Sequence, residues 1–179
     1  VITTLKEMVK EGNVVFYAPV LCRPKSRGQI LLKSSNPLER PKINPNFLSD
    51  LRDIKTLVEG TRLAANIMDS QALKNLDVKR KKMDLEGCEG LNFDTDEFWE
   101  CLVRNLSTCA FHAAGTCKMG PSSDPTAVVD PQLKVHGVKR LRVADISIMP
   151  TITTVPTGAT AIMIGEKAAD MIKKEWLNL

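Results

Sequence analysis

The chain has 179 residues, of which 43% are hydrophobic and 26% are charged, and its formal net charge is +4. These values are close to the averages for soluble globular proteins and exclude a disordered or fibrous chain. No apolar run reaches the roughly 18 residues that a membrane-spanning helix needs, so no membrane span is predicted.

Two strands are predicted at the start of the chain. Val14–Leu21 is rich in Val, Phe and Tyr, which are residue types that favour strands. A tight turn at Ser26–Gly28 then leads into Gln29–Lys33, which we expect to return antiparallel to the first strand. Residues 34–46 contain three prolines. Proline interrupts both helices and sheet ladders, so this segment is predicted to be an extended surface connection.

Helical spacing follows. Across residues 54–68, apolar residues recur at intervals of three and four, which is typical of an amphipathic helix. A short helix is predicted at Leu73–Leu76. Asp94 stands three residues before Glu97, which is the arrangement of an N-cap and capping box. This pair therefore predicts the start of a third helix, which runs to Leu106.

The basic run Lys79–Lys82 is the one concentrated charge in the sequence. No aromatic residue interleaves it, so we expect a solvated helix end or loop rather than a nucleic-acid or membrane patch. The sequence therefore predicts no nucleic-acid partner.

The C-terminal third alternates turns with short apolar runs. Turn signals mark residues 115–138 as a string of loops. Leu141–Val143 is predicted to be a short strand, and residues 160–176 a final helix with one apolar face. The residues of that face are Ile162, Ala168, Ala169, Ile172 and Trp176. The elements together predict an α+β fold, in which an antiparallel sheet from the N-terminal half carries helices on one face.

Five cysteines are too few to define a small disulfide scaffold, and none stands in a CxxC with zinc-ligand spacing. We therefore predict no metal site. Cys88 and Cys101 bracket a loop that leads into a helix, and they are able to pair in an oxidising environment. Spacing alone leaves this disulfide and a set of buried thiols equally favoured.

His112 is the candidate for acid–base chemistry. It is one of two histidines, and it lies among small residues and glycines in the segment 111–120. A histidine titrates near neutral pH, so it can take a proton from a substrate hydroxyl and release it later. Considered alone, the segment favours a half-buried structural histidine. Asp145 likewise either bonds a ligand or caps the turn that follows it.

Read together, four blocks resemble the C-terminal signature of the glucose-methanol-choline (GMC) oxidoreductases. They are His112-x-x-Gly115-Thr116-Cys117-x-Met119-Gly120, Val129-Asp130-Pro131 with Val135-His136-Gly137, the run from Leu141 to Pro150, and the run from Ile164 to Asp170. Upstream, Pro24–Gly28 matches the substrate domain of that family. Glu97–Cys101 and Cys117–Pro121 are most similar to its insect glucose-dehydrogenase-like group. The resemblance runs from about residue 14 to residue 176.

The resemblance implies a flavin enzyme whose FAD domain is mostly absent from this chain, in which no GxGxxG fingerprint occurs. It implies that His112 takes the hydroxyl proton of the substrate while hydride passes to the flavin N5. It also implies contacts with FAD from two segments. They are Asp145 and Ile146 at the ribityl-pyrophosphate part, and Gly158, Ala159 and Thr160 against the isoalloxazine ring.

Domain organisation follows from the same resemblance. Residues 1–110 are assigned to the substrate-binding domain, and residues 111–179 to the catalytic histidine loop and the segment that returns to the FAD domain. The C-terminal strand and helix would complete that missing domain. We therefore expect the side chains of Ala161, Ile162 and Ile164 to be unusually exposed in this chain.

The resemblance further implies an alcohol, sugar or steroid substrate and a quinone or oxygen as electron acceptor. It implies an extracellular or secreted protein. The first residue is Val1 rather than Met, and no leader pattern precedes the folded sequence. We therefore expect a fragment or a processed chain, with any targeting signal in the missing part.

One position departs from the family pattern. The second active-site residue of the family, a His or Asn, aligns with Gly158, which has no side chain to stabilise a developing alkoxide, a contribution of roughly 3 kcal/mol. A bulky alcohol such as a steroid could use the vacated space. Two alternatives stay open: a catalytically weak member acting as a binding or structural protein, and a stand-alone redox-inactive domain.

Overall fold

The computed structural model describes residues 9–10, 12–83 and 85–177. The chain divides into two compact units. The first contains Pro45–Ala110 together with the segment that ends at Gly28, and the second contains Gln29–Asn44 together with the segment that begins at Phe111. Each unit has a hydrophobic core of its own.

Helices form the framework of the first unit. Helix α1 spans Leu51–Met68, α2 spans Gln71–Lys74 and α3 spans Asp96–Leu106. The periodic spacing predicted α1, the third predicted helix is α3, and α2 begins two residues earlier than expected. The Asp50 carboxylate caps α1 by accepting the Arg52 N–H, with an O–N distance of 2.9 Å. This bond satisfies one of the backbone donors that a helix start leaves unpaired.

The residue that caps α3 differs from the predicted one. Thr95 is the N-cap, and its hydroxyl accepts the Phe98 N–H at an O–N distance of 3.3 Å. Asp94 instead has a positive φ of 74° and accepts a hydrogen bond from the indole N–H of Trp99 at 3.0 Å. The capping-box prediction is wrong because the core tryptophan takes the Asp94 carboxylate.

An aromatic cluster forms the core between α1 and α3. The buried rings of Phe98 and Trp99 meet edge to face with centroids 5.1 Å apart, and Phe93 adds a second edge contact to Phe98 at 5.3 Å. Ala65 of α1 lies against them. Such aromatic pairs add about 0.5–1.5 kcal/mol each beyond the burial of their surface.

The basic run Lys79–Lys82 is only partly solvated. The Arg80 guanidinium pairs with Asp69 and Asp94 at N–O distances of 2.8 and 3.1 Å, and it lies over an aromatic ring of the core. The Lys82 ammonium donates to a main-chain carbonyl at 2.9 Å. The expectation of a solvated segment is wrong for Arg80, which is half-buried and joins the loop to the aromatic cluster, whereas Lys82 is exposed as expected.

Cys88 and Cys101 form a disulfide, with their Cα atoms 6.0 Å apart. Sequence spacing had left the disulfide and free thiols equally favoured, and the structure has the disulfide. It joins the loop that precedes α3 to α3 itself. The other three cysteines are thiols.

The second unit contains a short antiparallel ribbon. Strand β1, Gln29–Leu31, pairs with β2, Lys42–Asn44, and Ile30 lies opposite Ile43. The predicted partner of β1 was Val14–Leu21, which is not a strand in the structure, so that pairing is wrong. A proline flanks β2 on each side but neither belongs to the strand. The segment rich in proline therefore still forms a strand, because no proline has to donate a ladder hydrogen bond.

A second, larger core is built around the C-terminal helix. Helix α4 spans Gly158–Leu177 and packs against a 3-10 turn at Ile146–Ile148. The buried residues of this core are Val129, Leu133, Ile148, Met149, Ile164 and Ala168.

Among the described residues, no helix has both the length and the apolar content needed to cross a membrane.

The buried face of α4 shares only Ala168 with the apolar face marked in the sequence. Ile164 is 5% exposed and packs in the core with Ala168, one turn further on. Ile162 is 70% exposed, and Trp176 is exposed as well. Exposure was expected of Ala161, Ile162 and Ile164, and it is found at the first two but not at Ile164, because α4 uses that side chain to pack on the 3-10 turn.

The predicted strand Leu141–Val143 is reduced to a single antiparallel bridge between Lys134 and Arg142. Both of these side chains also pair with Glu175 of α4. The segment is therefore tied to the helix by charge rather than extended into a sheet within this chain.

Asp53 ties the segment before β1 to α1. Its carboxylate, 2% exposed, accepts the N–H groups of Lys25 and Ser26 at 2.7 and 2.8 Å and the Ser26 hydroxyl at 2.6 Å. Burial disfavours the charged form, but these hydrogen bonds outweigh it, and the pKa of Asp53 is lowered. A lowered pKa means that the carboxylate stabilises the fold above its unfolded pKa, and that this stability is lost as the pH falls through the folded value.

We predict that Asp53→Asn exposes the Ser26 amide. An amide side chain cannot accept all three bonds, so local opening should become easier by about 1–3 kcal/mol, measured by amide hydrogen exchange on the full-length protein at neutral pH. The difference from wild type should shrink as the pH falls from about 4, the ordinary pKa of an aspartate, through the lower pKa of the folded protein. Asp77→Asn, at an exposed carboxylate paired with Lys79, is the control. Unchanged Ser26 exchange in Asp53→Asn would contradict the prediction.

Candidate functional site

His112 lies at the start of the second unit and is half-buried. The residue before it, Phe111, has a positive φ of 59°. Three residues after His112 the chain reaches Gly115, where regular backbone pairing begins. The imidazole is therefore carried on a short loop directly before a fixed segment.

That fixed segment is a backbone ladder. The N–H groups of Gly115, Cys117 and Met119 donate in turn to the three carbonyls of the turn Ile146–Ile148, with N–O distances of 3.3, 2.8 and 2.8 Å. Alternate residues are used, as in a strand. The ladder lies directly after His112 and directly after Asp145, so it brings these two sequence-predicted site segments side by side.

Gly115 allows the close approach within this ladder. Its φ is +86°, a conformation that residues with a side chain rarely adopt, and a Cβ atom there would lie 3.1 Å from the Met149 carbonyl oxygen. The glycine therefore meets two separate requirements. It turns the chain after His112, and it lets the segment lie against the turn.

Asp145 caps the 3-10 turn. Its carboxylate accepts the Ser147 N–H at an O–N distance of 2.7 Å. Hydrogen bonding by the hydroxyl and the N–H of Ser147 holds the pKa of Asp145 below its usual value. Of the two roles considered from the sequence, turn capping is therefore observed. Ile146, the next residue, is half-buried, and its carbonyl accepts the Gly115 N–H of the ladder.

Gly158, Ala159 and Thr160 form the first turn of α4. Gly158 and Ala159 are exposed, and a Cβ atom at Gly158 would meet nothing within 4 Å. A helix start presents unpaired N–H groups and a partial positive charge. Because Gly158 and Ala159 are small, a flat, polar cofactor ring could approach the main chain at this helix start. Because α4 packs on Ile146–Ile148, all three predicted site segments share one core.

The second histidine has a structural contact. His136 Nε2 lies 3.0 Å from the Gly120 carbonyl oxygen, which can only accept, so this nitrogen donates. In the described part of the chain, no group of three or more His, Cys, Asp or Glu side chains is arranged to hold a metal ion.

Two open grooves lie away from the predicted site. One, of about 480 Å³, has Arg80 in its wall, and the other, of about 640 Å³, is lined by His136 and Trp176 among others. His112 and Gly158 line neither. None of the predicted site residues lies in the wall of either groove.

Sequence reasoning missed a polar network beside the ladder. The Lys118 ammonium donates to Asp124 Oδ2 at 2.7 Å and to Thr126 Oγ1 at 2.6 Å. The signal was present in the sequence, because an Asp followed by Pro and a hydroxyl residue is typical of a turn that the carboxylate closes on its own backbone.

Comparison with known proteins gives one consistent family. The sequence model described as GMC oxidoreductase matches residues 24–165. Over 158 residues the chain is 48% identical to a glucose dehydrogenase (FAD, quinone) of Drosophila pseudoobscura pseudoobscura, covering 88% of this chain and 25% of that protein. Over 152 residues it is 40% identical to an alcohol dehydrogenase (acceptor) of Pseudomonas putida, covering 85% of this chain and 26% of that protein.

A solved structure gives the same result. A fungal aryl-alcohol oxidase superposes with a TM-score of 0.74 and 34% identity, over 88% of this chain and 25% of that one. The chain therefore spans about a quarter of the length of the relatives it matches.

We predict that Gly115→Ala disrupts the ladder. The methyl group meets the Met149 carbonyl, and the left-handed backbone adds about 1–2 kcal/mol of strain, so amide exchange at Cys117 and Met119 should accelerate strongly. Gly137→Ala is the matched control, since its φ is +75° but its Cβ would meet nothing within 4 Å. Equal exchange at Cys117 in both variants would show that the close approach is unimportant.

Proposed function

The chain belongs to the GMC oxidoreductase family, and on that premise we propose that it forms the C-terminal part of an FAD-dependent oxidoreductase that oxidises a CH–OH group. The observation that carries the proposal is the ladder from Gly115, Cys117 and Met119 to Ile146–Ile148. It holds the His112 segment beside the Asp145 turn. The names of the relatives, which include glucose and alcohol dehydrogenases, support the substrate class.

His112 is the proposed base. Its half-buried ring is accessible to a substrate, and a neutral imidazole takes the hydroxyl proton as the alcohol carbon becomes a carbonyl. When bound, FAD supplies the acceptor for the hydride that leaves that carbon. The imidazolium then returns its proton to solvent before the next substrate binds.

Asp145 and Ile146 are proposed to lie along the ribityl-pyrophosphate part of FAD, and Gly158, Ala159 and Thr160 against its ring system. Exposed small side chains at the start of α4 support this assignment, as does the capped turn that keeps the Asp145 backbone in place. The rest of the cofactor site is proposed to come from the preceding part of the polypeptide. The outer face of α4, with Ile162 and Trp176 exposed, is proposed to pack against that part.

The substrate is proposed to be an alcohol, sugar or steroid. At Gly158, where the family resemblance implies a His or Asn, a Cβ atom would meet nothing within 4 Å. We propose that a bulky alcohol such as a steroid uses the room that the missing side chain leaves. Steady-state turnover of the full-length protein on glucose and on an ecdysteroid distinguishes the two. Robust oxidation of glucose would contradict the steroid proposal.

The same glycine favours a second candidate function. Without a side chain at Gly158, a group that stabilises the developing alkoxide by roughly 3 kcal/mol is missing. The missing group favours a catalytically weak family member that keeps the fold as a binding or structural protein. An intact His112 segment on a formed ladder favours the enzyme.

The electron acceptor is proposed to be a quinone, as the name of the Drosophila relative states, or oxygen. The protein is proposed to be extracellular or secreted. The Cys88–Cys101 disulfide supports an oxidising compartment, since such crosslinks are rare in cytosolic proteins.

We predict that His112→Ala in the full-length protein slows flavin reduction by an alcohol about 10²–10⁴-fold, because the hydroxyl proton then has no positioned acceptor. Anaerobic stopped-flow absorbance, scaled to bound flavin, measures the rate. His136→Gln keeps a donor for the Gly120 carbonyl and is the histidine control, with a rate near wild type. An unchanged rate in His112→Ala would remove His112 from its proposed role.

The compartment is tested on protein isolated from its natural source. Alkylation without a reductant followed by mass spectrometry should leave Cys88 and Cys101 unlabelled, because the thiolate that reacts is absent from a disulfide. Labelling of both after denaturation would show that they are thiols in the native protein. That result would contradict the proposed oxidising environment.

A further inference from the structure

The ladder segment is paired on both sides. On one side it donates to Ile146–Ile148, and on the other the Lys118 carbonyl accepts the Val128 N–H at 2.8 Å, while the Gly120 N–H donates to the Val129 carbonyl at 3.0 Å. The seven residues of the loop between Gly120 and Val128 connect the middle segment to its second neighbour. The conformation of that loop therefore helps to set the register of the ladder.

Lys118 closes this loop from inside the ladder. Its ammonium donates to Asp124 Oδ2 at 2.7 Å and to Thr126 Oγ1 at 2.6 Å, while Asp124 Oδ1 accepts the Thr126 N–H at 2.8 Å. The side chains of Lys118 and Asp124 are each 30% exposed. The lysine first, then the hydroxyl and the N–H of Thr126, holds the pKa of Asp124 well below its usual value. The contact is thus an ion pair with a shared hydroxyl.

We propose that Lys118 is a positioning residue for His112, an inference that rests on the proposed function. A strand that slips by one residue turns every side chain to its other face. Lys118 fixes the segment against such a slip, since its main chain pairs with Val128 while its side chain holds Asp124 and Thr126.

The link to His112 is short. Only Ala113 and Ala114 separate His112 from Gly115, where the ladder begins, and three residue steps reach at most about 10 Å. A displacement of the ladder is therefore transmitted to the imidazole. Misplacing a catalytic group by about 1 Å can slow a reaction about 10²-fold. Lys118 itself is not proposed to touch the substrate.

The test uses the full-length, flavin-loaded protein, with anaerobic flavin reduction by one alcohol scaled to bound flavin. Lys118→Met keeps the length of the side chain but not its charge, and it should slow reduction about ten- to a hundredfold. Lys118→Arg keeps a donor for Asp124 and should restore most of the rate. Lys174→Met, which removes an exposed pair with Asp170 on α4, is the matched control and should react like wild type.

The decisive comparison is the double variant. If Lys118 acts through His112, Lys118→Met should slow the His112→Ala protein by less than about threefold, because interacting residues are not additive. If Lys118 only stabilised the fold, Lys118→Met would lower the folded fraction, and its effect would be independent of His112→Ala. Two results would overturn the positioning role alone. In the first, the rate losses of the two single variants multiply in the double variant. In the second, Lys118→Met reacts within twofold of wild type while His112→Ala is slow. A His112→Ala rate equal to wild type would overturn the proposed function and the positioning role together.

Discussion

The second unit depends on one set of main-chain hydrogen bonds, from Gly115, Cys117 and Met119 to the turn Ile146–Ile148. Each is worth only about 0.5–1.5 kcal/mol net, but together they join two segments that are distant in sequence. The turn in turn packs on α4 through Ile148 and Ile164. One shared core thereby carries the histidine loop, the Asp145 turn and the start of α4.

In the first unit, polar side chains join segments that are distant in sequence. Asp53 gathers the main-chain N–H groups of a turn onto α1, and Arg80 joins Asp69 to Asp94 beside the aromatic core. A buried charge is tolerated only where hydrogen bonds replace its water. The first unit therefore combines a small aromatic core, a set of paired charges and a disulfide.

The helices could be predicted from the sequence, and the strand pairing could not. Periodic apolar residues mark α1, α3 and α4 because a helix shows one face to its core. Val14–Leu21 has a composition that favours strands, but composition does not choose a partner, and β1 pairs with a segment enclosed by prolines instead.

The candidate site shows the same limit. His112 and Asp145 were predicted as site residues because ordered motifs mark them, whereas the ladder between their segments is made by main-chain groups that every sequence possesses. Gly115, which the close approach requires, was the one residue in the sequence that pointed to the ladder. Exposure on α4 was predicted correctly for Ile162 and wrongly for Ile164, because both faces of the helix carry apolar residues. Periodicity alone does not show which of these faces packs inside the chain.

The central claim, that this chain completes a flavin enzyme acting on a CH–OH group, is tested most directly by the absorbance spectrum of the full-length protein before and after anaerobic addition of candidate alcohols. The account predicts the bands of oxidised flavin in the purified protein and their loss when an alcohol is added. A folded protein that carries no flavin, or a bound flavin that a chemical reductant bleaches but no alcohol does, would contradict it.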